Sequence, residues 1–524
     1  MKNWSYYLFS DKNKKYIFET FSCSIKEIPD LLYSKLQIHN EECNTIINQI
    51  ERRFPDNYHN FPRFKNKKCF ITLDFSNICN MNCSYCFRTK KKFSNPNNID
   101  FKEILDYITN VFMPDAEEYS FSVGYTTEVS FNTEYIRKLD AAIIDYEGHL
   151  FTNESFITSP SELYNSLPVN LQKKYPIKLN PLESLNNIIK NEKIEDYFEY
   201  DKFEAAKKIL DSKNPLSAAR RVIINRNILS KTFPSIVKEA KPKIMSISFM
   251  TNGTHITDDF ISLIKEEGMD NIYVSIDGPE NIHNYSRKFN NGKGTFYDVI
   301  NGINKIKNAG IKVIASTVIN SKYPDIDNIV EFLDSLNLDG VEFCFIRGKN
   351  NSDCFTSDTI QMFFKSFDIL LNKILKKIEQ DDYHLLKLLK NNYVFSYLKS
   401  IIEKNFNIRR CSFDDHLVIS PEGDLFHCNY TMGMDDDLMG NIKSMKYPKI
   451  KNIEVDSYKR CKECWAKFLC GGICYYEKLL NNNRTIDLDC YVHKEYIKRA
   501  LTFYVRCFEM QKLDKVHYYL SLNY

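Results

Sequence analysis

The stretch that decides the fold is Cys79-Asn-Met-Asn-Cys83-Ser-Tyr-Cys86, which comes shortly after the apolar run Phe70-Ile-Thr-Leu-Asp-Phe75. Its cysteines have the spacing C-x3-C-x2-C on one short loop. Three thiolates placed in this way can hold three irons of a [4Fe–4S] cluster and leave the fourth iron open for chemistry. A structural zinc site normally needs four protein ligands, and this loop has no further Cys or His nearby. The spacing therefore favours an iron–sulfur cluster over zinc.

A second set of seven cysteines lies in the last quarter of the chain. Gly423 stands between the first two of them, Cys411 and Cys428, and the run from Cys461 to Cys474 has the spacing C-x2-C-x5-C-x3-C. Paired cysteines of this kind are also typical of zinc sites. Seven ligands, however, do not divide into complete four-ligand zinc sites. The full set is Cys411, Cys428, Cys461, Cys464, Cys470, Cys474 and Cys490.

The two cysteine sets together resemble those of the radical S-adenosylmethionine (SAM) superfamily with a SPASM extension. Tyr85, the aromatic residue before the last cysteine of the loop, also matches the superfamily pattern. The resemblance covers about residues 69–130 and 244–495 and implies three [4Fe–4S] clusters, one binding SAM and two auxiliary. It assigns the SAM cluster to Cys79, Cys83 and Cys86, the outer auxiliary cluster to Cys461, Cys464, Cys470 and Cys490, and the inner one to Cys411, Cys428 and Cys474.

Strand and helix patterns alternate from Cys69 to about residue 350. Six strand candidates are Phe70–Phe75, Tyr119–Val123, Ile244–Met250, Ile272–Ile276, Lys312–Ile319 and Val341–Ile346. Amphipathic helices between such strands predict a parallel sheet with right-handed crossovers. By resemblance, this sheet is an open (β/α)6 barrel whose site lies at the carboxyl ends of the strands. The predicted class is α/β, a partial radical SAM barrel with a C-terminal cysteine-rich SPASM domain and a small N-terminal α+β domain.

Three domains are expected along the chain. Residues 1–65 show a hairpin pattern, Ser5–Phe9 and Tyr16–Phe21, followed by helical patterns at Ile28–Leu36 and Glu42–Phe54. This segment either resembles the leader-peptide recognition element of peptide maturases or caps the barrel. Residues 66–400 are assigned to the barrel, with a helical insertion at about 130–240, because that interval is far longer than one crossover helix needs. Residues 401–524 are assigned to the auxiliary-cluster domain.

Three segments resemble the SAM-contacting stretches of the superfamily. Gly124–Glu128 stands where the family usually has Gly-Gly-Glu, so Glu128 matches, while Thr127 replaces a glycine. The second segment, Thr251–Gly253, closes strand three, and the third, the Val274–Pro279 motif, closes strand four. An Asn-Gly or Asp-Gly after a strand is by itself an ordinary turn, but here the two follow the family's order. The guanidinium group of an arginine such as Arg287 can donate two parallel hydrogen bonds to a carboxylate. By resemblance the cofactor-binding residues are Tyr85, Thr127, Glu128, Asn252, Ser275 and Arg287, with Ser275 near the ribose and Arg287 near the SAM carboxylate; no catalytic residue is assigned.

The composition excludes several other classes of protein. The 524 residues are 43% hydrophobic, which is ample for a packed core, and the net charge of +3 does not indicate a nucleic-acid partner. No apolar stretch has the length of a membrane span, and the N-terminus lacks a signal core. Ten of the 16 cysteines belong to motifs that need reduced thiolates, so we expect a reducing cytoplasm. The other six fit ordinary buried cysteines.

The resemblance implies an enzyme that modifies a ribosomally made precursor peptide. SAM would be cleaved reductively, the 5′-deoxyadenosyl radical would abstract a hydrogen from a peptide carbon, and a thioether or other cross-link would form. A flavodoxin or ferredoxin-type protein would supply electrons. One alternative is a sulfatase-maturating type of enzyme that makes formylglycine, which Asn429 disfavours because that subfamily has an Asp at this position. The other is a non-catalytic iron–sulfur, zinc or peptide-binding protein.

The inner auxiliary cluster lacks a fourth cysteine in the expected place. Related enzymes often supply it shortly after the first ligand, but Ser412–Leu417 contains no Cys. Two alternatives therefore remain for the fourth ligand of this iron. His416 could fill the position, since imidazole also ligates iron–sulfur clusters. Otherwise the iron is open to a substrate thiolate, which would favour thioether formation.

Overall fold

The computed structural model describes most of the barrel and of the cysteine-rich region. The described residues are 6–20, 22–38, 68–74, 78–87, 100–116, 118–124, 128–139, 142–143, 169–176, 244–266, 269, 271–347, 352–411, 415–449, 454–480 and 483–522. Thr127, the helix expected at Glu42–Phe54 and most of the insertion expected at 130–240 lie outside them.

The N-terminal segment forms an antiparallel sheet in the order β1-β2-β3, followed by a helix. Its elements are β1 (Tyr6–Asp11), β2 (Lys14–Glu19), β3 (Ser24–Ile28) and α1 (Asp30–Ile38). The expected hairpin is present, and Lys12 makes its turn with a φ of 50°. The third strand was not predicted, because Lys26 and Glu27 interrupt the apolar alternation by which a half-buried strand is recognised.

Six parallel strands form the centre of the molecule in sequence order. They are β4 (Lys68–Leu73), β5 (Glu118–Val123), β6 (Ile244–Thr251), β7 (Asn271–Ser275), β8 (Lys312–Ile319) and β9 (Gly340–Phe345). Their ends differ from the expected ones by no more than two residues. The structure thus confirms the α/β class and the partial radical SAM barrel. In such a sheet the carboxyl ends of all six strands lie at one edge, so the loops that form the site meet there.

Helices connect these strands wherever the connections are described. They are α2 (Phe101–Tyr107), which continues as a π-helical turn (Ile108–Phe112), α3 (Val169–Lys174), α4 (Asp258–Glu266), α5 (Glu280–Ser286), α6 (Phe296–Asn308) and α7 (Ile326–Ser335). Asp100 caps α2, since its side chain accepts a hydrogen bond from the backbone N of Lys102 at 2.9 Å. Gly310 follows α6 with a φ of 78°, as expected of a glycine beyond a helix end.

The cysteine-rich region extends the same sheet. After α8 (Ser357–Glu379), α9 (His384–Leu389) and α10 (Tyr393–Glu403), the chain forms β10 (His416–Ile419), β11 (Asp424–Phe426) and β12 (Gly440–Asn441). It ends with α11 (Lys459–Lys462), α12 (Lys467–Cys470), α13 (Tyr475–Leu479), α14 (Asn483–Glu509) and α15 (Leu513–Ser521). Strand β10 pairs in parallel with β4, so the nine strands have the order β12-β11-β10-β4-β5-β6-β7-β8-β9.

The turn between β10 and β11 requires a glycine. Gly423 has a φ of 83°, and a Cβ added to it would lie 2.8 Å from the Ile442 side chain. This turn returns the chain antiparallel to β10, as predicted from the sequence.

The N-terminal sheet lies against the C-terminal region. Asp11 forms an ion pair with Arg506 of α14 (2.8 Å), and the rings of Tyr7 and Trp465 stack with centroids 4.0 Å apart. Trp465 belongs to the cysteine-rich region, so residues 6–28 contact that region and α14. Among the described residues, no helix is long and apolar enough to cross a membrane.

Candidate active site

The cysteine loop crosses the carboxyl edge of the central sheet and is held by the segment after α5. The backbone N of Asn82 donates to the carbonyl of Lys288 at 2.8 Å, and the N of Ser84 donates to the carbonyl of Ser286 at 3.0 Å. Cys79, Cys83 and Cys86 are all half-buried. The three thiols therefore lie on one loop that two backbone hydrogen bonds tie to the site side of the barrel.

Asn252, at the end of β6, joins its strand to this loop. Its amide Nδ2 donates to Asn80 Oδ1 at 2.9 Å and lies 3.8 Å from Cys79 Sγ. Its Oδ1 accepts from the backbone N of Thr254 at 2.9 Å, which fixes the amide plane. The structure thus places Asn252 beside the first thiol, and a SAM contact for it stays a prediction.

Glu128 anchors the turn that contains Asn252. Its Oε2 accepts from the backbone N of Asn252 at 2.7 Å, and its Oε1 accepts from the hydroxyls of Thr251 and Ser130. The side chain is buried; burial raises its pKa, and these hydrogen bonds oppose that rise. Glu128 therefore positions the β6 turn with both carboxylate oxygens, and a direct SAM contact for it stays a prediction. Thr127 lies outside the described residues.

Asp277 links two of the expected SAM-binding residues. Its Oδ2 accepts from the Tyr85 hydroxyl at 2.6 Å and from Arg287 Nε at 3.0 Å, while its Oδ1 accepts from the backbone N of Val318 at 3.0 Å. No role for Asp277 follows from the sequence pattern, although it stands in the Val274–Pro279 motif. Tyr85 is 192 residues away in sequence, so only the fold brings it to Asp277.

Arg287 is held in a fixed orientation with donors to spare. Burial opposes its charged form, but Asp277 raises the pKa of Arg287 above its ordinary value, so the guanidinium stays charged. The guanidinium carbon lies 5.4 Å from the centre of the Tyr85 ring. Its Nη groups make no hydrogen bond within the described part of the chain. A charged fork with free donors beside the cysteine loop fits a carboxylate ligand such as that of SAM.

Two further residues complete this wall of the site. His283 Nδ1 accepts from the backbone N of Asp277 at 3.3 Å, and its Nε2 lies 3.0 Å from Thr295 Oγ1. Burial lowers the pKa of His283 to about 4, so the ring is neutral and positions the Asp277 backbone. Ser275 is buried at the end of β7, and its hydroxyl makes no hydrogen bond with a described residue, which leaves it available to a ligand.

The expected outer auxiliary thiols lie together. They come from α11, the turn after it, α12 and α14. Burial, and then the neighbouring thiols of Cys490, Cys470 and Cys464, raise the pKa of Cys461 to about 12. Thiols that crowd each other in this way become ligands when a metal centre stabilises their thiolates. Arg410 Nη2 lies 2.9 Å from Cys470 Sγ and supplies a positive charge beside this set.

The expected inner thiols are also near one another, since burial and then the neighbouring Cys474 thiol raise the pKa of both Cys411 and Cys428. The β10–β11 turn returns Cys428 towards Cys411, and burial, with Cys474 and Cys411 next, raises the pKa of Cys428 to about 12 against the opposing effect of a hydrogen bond from the Tyr430 backbone. Arg347 Nη1 lies 2.7 Å from Cys474 Sγ. Within the described ranges, no three His, Cys, Asp or Glu side chains lie close enough to hold a single metal ion.

Of the two alternatives for the fourth ligand of the inner cluster, His416 is the one that the chain itself supplies. The His416 ring lies in β10, and its Nε2 is 3.1 Å from Thr72 Oγ1 on the neighbouring strand. This places the imidazole on the inner face of the sheet, where burial lowers the pKa of His416 to about 4. Cys354, a cysteine outside both sets, donates its thiol to the carbonyl of Ile346 at 3.5 Å.

Comparisons with known proteins agree with this geometry. The Radical SAM superfamily model matches residues 189–337, which contain β6, β7, β8 and the helices after them, and the cysteine loop precedes the matched stretch. The serine-type anaerobic sulfatase-maturating enzyme of Bacteroides thetaiotaomicron is 36% identical over 90 residues, which are 17% of this chain and 22% of that enzyme. The chain thus spans about a fifth of the length of this relative.

A longer match and a solved structure extend the comparison. The cysteine-type anaerobic sulfatase-maturating enzyme of Clostridium novyi is 24% identical over 294 residues, 52% of this chain and 76% of that one. The histidine-tagged anSMEcpe with bound AdoMet superposes with a TM-score of 0.53 at 16% identity, covering 87% of this chain and 100% of that one, which shows a shared fold. Together with the cysteine loop and the six parallel strands, these matches show that the chain contains a radical SAM domain.

Proposed function

We propose that this chain is a radical SAM maturase that modifies a precursor peptide and holds three [4Fe–4S] clusters. The observation that carries the proposal is that both cysteine sets flank strands of one continuous sheet: the three-cysteine loop follows β4, Cys411 precedes β10, and the other auxiliary cysteines follow β11. A loop of three thiols leaves one iron of its cluster open for SAM. The seven cysteines of the second set could hold additional clusters. The relatives named above are maturating enzymes, which supports a peptide or protein substrate.

Each residue expected to bind or position SAM has a separate role in this proposal. When bound, the cluster and SAM supply the 5′-deoxyadenosyl radical that abstracts hydrogen from a peptide carbon; this chemistry belongs to the cofactor. Arg287 binds the SAM carboxylate through its free Nη groups, Asp277 orients Arg287, and His283 holds the Asp277 backbone. Asn252 and Ser275 offer polar atoms to the rest of SAM, at positions fixed by strand ends.

The auxiliary region provides the second half of the site. Cys461, Cys464, Cys470 and Cys490 would complete the outer cluster, and Cys411, Cys428 and Cys474 would leave the inner one with an open iron. A substrate thiolate on that iron favours a thioether as the product. A flavodoxin or ferredoxin-type protein in a reducing cytoplasm would supply the electrons.

Formylglycine formation is the second candidate, because sulfatase-maturating enzymes are among the relatives. Asn429 directly follows Cys428, where that subfamily has an Asp that acts as base. The Asn429 Oδ1 is buried and has no hydrogen-bond partner among the described residues. An amide does not accept a proton at neutral pH, so this position does not provide the base.

The test begins with uncoupled SAM cleavage. Anaerobically reconstituted protein should form 5′-deoxyadenosine from SAM and dithionite. Co-expression with a candidate precursor peptide, such as any short open reading frame found next to the gene, followed by mass spectrometry, should then show a loss of two mass units for each cross-link. Absence of 5′-deoxyadenosine from protein with full iron content would contradict an enzymatic role and favour a non-catalytic iron–sulfur protein.

A further inference from the structure

The inner face of the sheet borders two cavities that share Met250 and Glu342. The first, of about 490 Å³, is lined by apolar and hydroxyl side chains of β4–β7, together with Glu342, His416 and Asn429. The second, of about 460 Å³, reaches past α10 to Arg410 and Cys470 of the auxiliary region. Glu342, on β9, is the only carboxylate among the described residues that line either cavity.

The two carboxylate oxygens of Glu342 have different surroundings. Oε1 accepts hydrogen bonds from the Tyr273 hydroxyl at 3.1 Å and from Asn391 Nδ2 at 2.8 Å. Oε2 has no hydrogen-bond partner in the described part of the chain. One oxygen is therefore fixed by two neutral donors, and the other is available to a group that enters the cavities.

In the described part of the chain, the Glu342 carboxylate has no positively charged partner. Its two hydrogen-bond donors, Tyr273 and Asn391, are neutral. Among the described residues, no Lys, Arg or His lies within ion-pair distance of Glu342. Arg410, the cation beside the second cavity, is instead paired with Asp489 and contacts Cys470. Burial raises the pKa of Glu342, while its hydrogen bonds from Asn391 and Tyr273 lower it. A half-buried carboxylate without a counter-ion is costly, and an entering cation would offset that cost.

The other ionisable group of the first cavity does not supply this cation. His416 has a pKa lowered to about 4 by burial, so its ring is neutral at physiological pH. The remaining polar lining consists of hydroxyls and amides, which can solvate an ammonium or guanidinium group without competing for its charge.

We propose that Glu342 is a specificity-determining residue whose Oε2 receives the cationic side chain of a lysine or arginine in the substrate peptide. This inference rests on the proposed function, because it assumes that the substrate is a peptide. It adds the chemical class of the side chain that the two cavities on the inner face of the sheet accept.

The test is a selection of peptides on the immobilised, reconstituted enzyme. The probe is an mRNA-displayed library of random twelve-residue peptides, and the readout is the frequency of each amino acid among the retained sequences. Glu342→Gln is the informative variant, because its Oε1 still accepts from Tyr273 and Asn391 while Oε2 becomes an amide donor. Glu331→Gln, at an exposed position on α7, is the matched control.

We expect wild type and the control to enrich lysine and arginine, and Glu342→Gln to lose this enrichment by about tenfold, as for removal of one partner of a buried charge pair. Equal lysine and arginine frequencies with wild type and Glu342→Gln would overturn the proposal. Uncoupled SAM cleavage by the same wild-type preparation is measured separately. If cleavage is absent while charge selection persists, the proposed function fails and the assignment of Glu342 stands.

Discussion

The rings of Phe87 and Tyr430 are in contact, with centroids 4.6 Å apart and planes tilted by 38°, which joins the two cysteine sets. Phe87 directly follows Cys86 of the SAM-type loop, and Tyr430 lies two residues beyond Cys428 of the inner auxiliary set. The Arg347 guanidinium, which contacts Cys474, lies 5.8 Å from the Tyr430 ring centre. The aromatic pair therefore places the three-cysteine loop next to the inner auxiliary set of cysteines.

Removal of the three-cysteine loop ligands should separate the clusters. With Cys79, Cys83 and Cys86 changed together to Ala, we expect iron content to fall from about twelve to about eight atoms per chain, since each cube holds four. SAM cleavage should be abolished, while the auxiliary cluster signals in electron paramagnetic resonance (EPR) spectra persist. Cys354→Ala, which changes a cysteine outside both sets, is the control. Residual SAM cleavage by the triple variant would remove the loop from the mechanism.

Arg287→Lys should weaken SAM binding. Lysine keeps the charge but loses the fork, so we expect the Kd for SAM to rise by about tenfold, in line with the loss of one charge-assisted hydrogen bond. Equilibrium dialysis with reconstituted protein measures this change. Arg137→Lys is the control, because Arg137 also pairs with an aspartate, Asp259, but at an exposed position. Unchanged SAM affinity in Arg287→Lys would exclude Arg287 from the SAM carboxylate.

The success of the sequence predictions follows the range of the interactions involved. Ligand spacing on a loop and apolar periodicity within a strand are local, so the three-cysteine motif and all six barrel strands are visible in the sequence. The glycine of the β10–β11 turn is equally local. These features require no knowledge of what lies next to them in the fold.

Contacts between distant segments could not be predicted in this way. Tyr85 and Asp277 are 192 residues apart, and His416 meets Thr72 across 344 residues. The pairing of β10 with β4, which merges the cysteine-rich region into the barrel sheet, depends on the same kind of long-range contact. The hydrogen bonds from Thr251 and Asn252 to Glu128 could not be predicted either, because they depend on where β6 ends in the fold.

His283 should make stability depend on pH. Its pKa is about 4 in the folded chain and near 6.5 when exposed, so the unfolded chain binds more protons between these values. The stabilisation is fully present above pH 6.5 and is lost as the pH falls towards 4, with an upper limit of about 3 kcal/mol. Urea unfolding of wild type and His283→Gln at pH 7 and pH 5 should show a smaller pH effect in the variant. His384→Gln, at an exposed histidine, should behave as wild type; a wild-type-like pH effect in His283→Gln would contradict the assignment.

The N-terminal sheet is predicted to bind the leader part of the precursor, with the peptide adding as a strand to an edge of β3. Deletion of residues 1–38 should weaken precursor binding and preserve uncoupled SAM cleavage. Because Asp11 pairs with Arg506 and Tyr7 stacks on Trp465, the deletion also removes packing. Asp11→Ala combined with Tyr7→Ala loosens this packing but keeps β3, so it is the control. Precursor affinity that falls equally in both variants, or in neither, would favour a structural cap.

The inner auxiliary cluster is predicted to bind a substrate thiolate at its open iron. Addition of a cysteine-containing peptide to the reconstituted protein should therefore change the EPR spectrum of this cluster, whereas the same peptide with serine should not. His416→Ala should leave the spectrum unchanged, because the His416 ring is hydrogen-bonded to Thr72 on the inner face of the sheet. A spectrum that changes in His416→Ala and ignores the cysteine peptide would instead identify histidine as the fourth ligand, and a carbon–carbon cross-link would then become the favoured product. The Cys79, Cys83 and Cys86 triple variant makes the comparison cleaner, since it removes the overlapping signal of the SAM cluster.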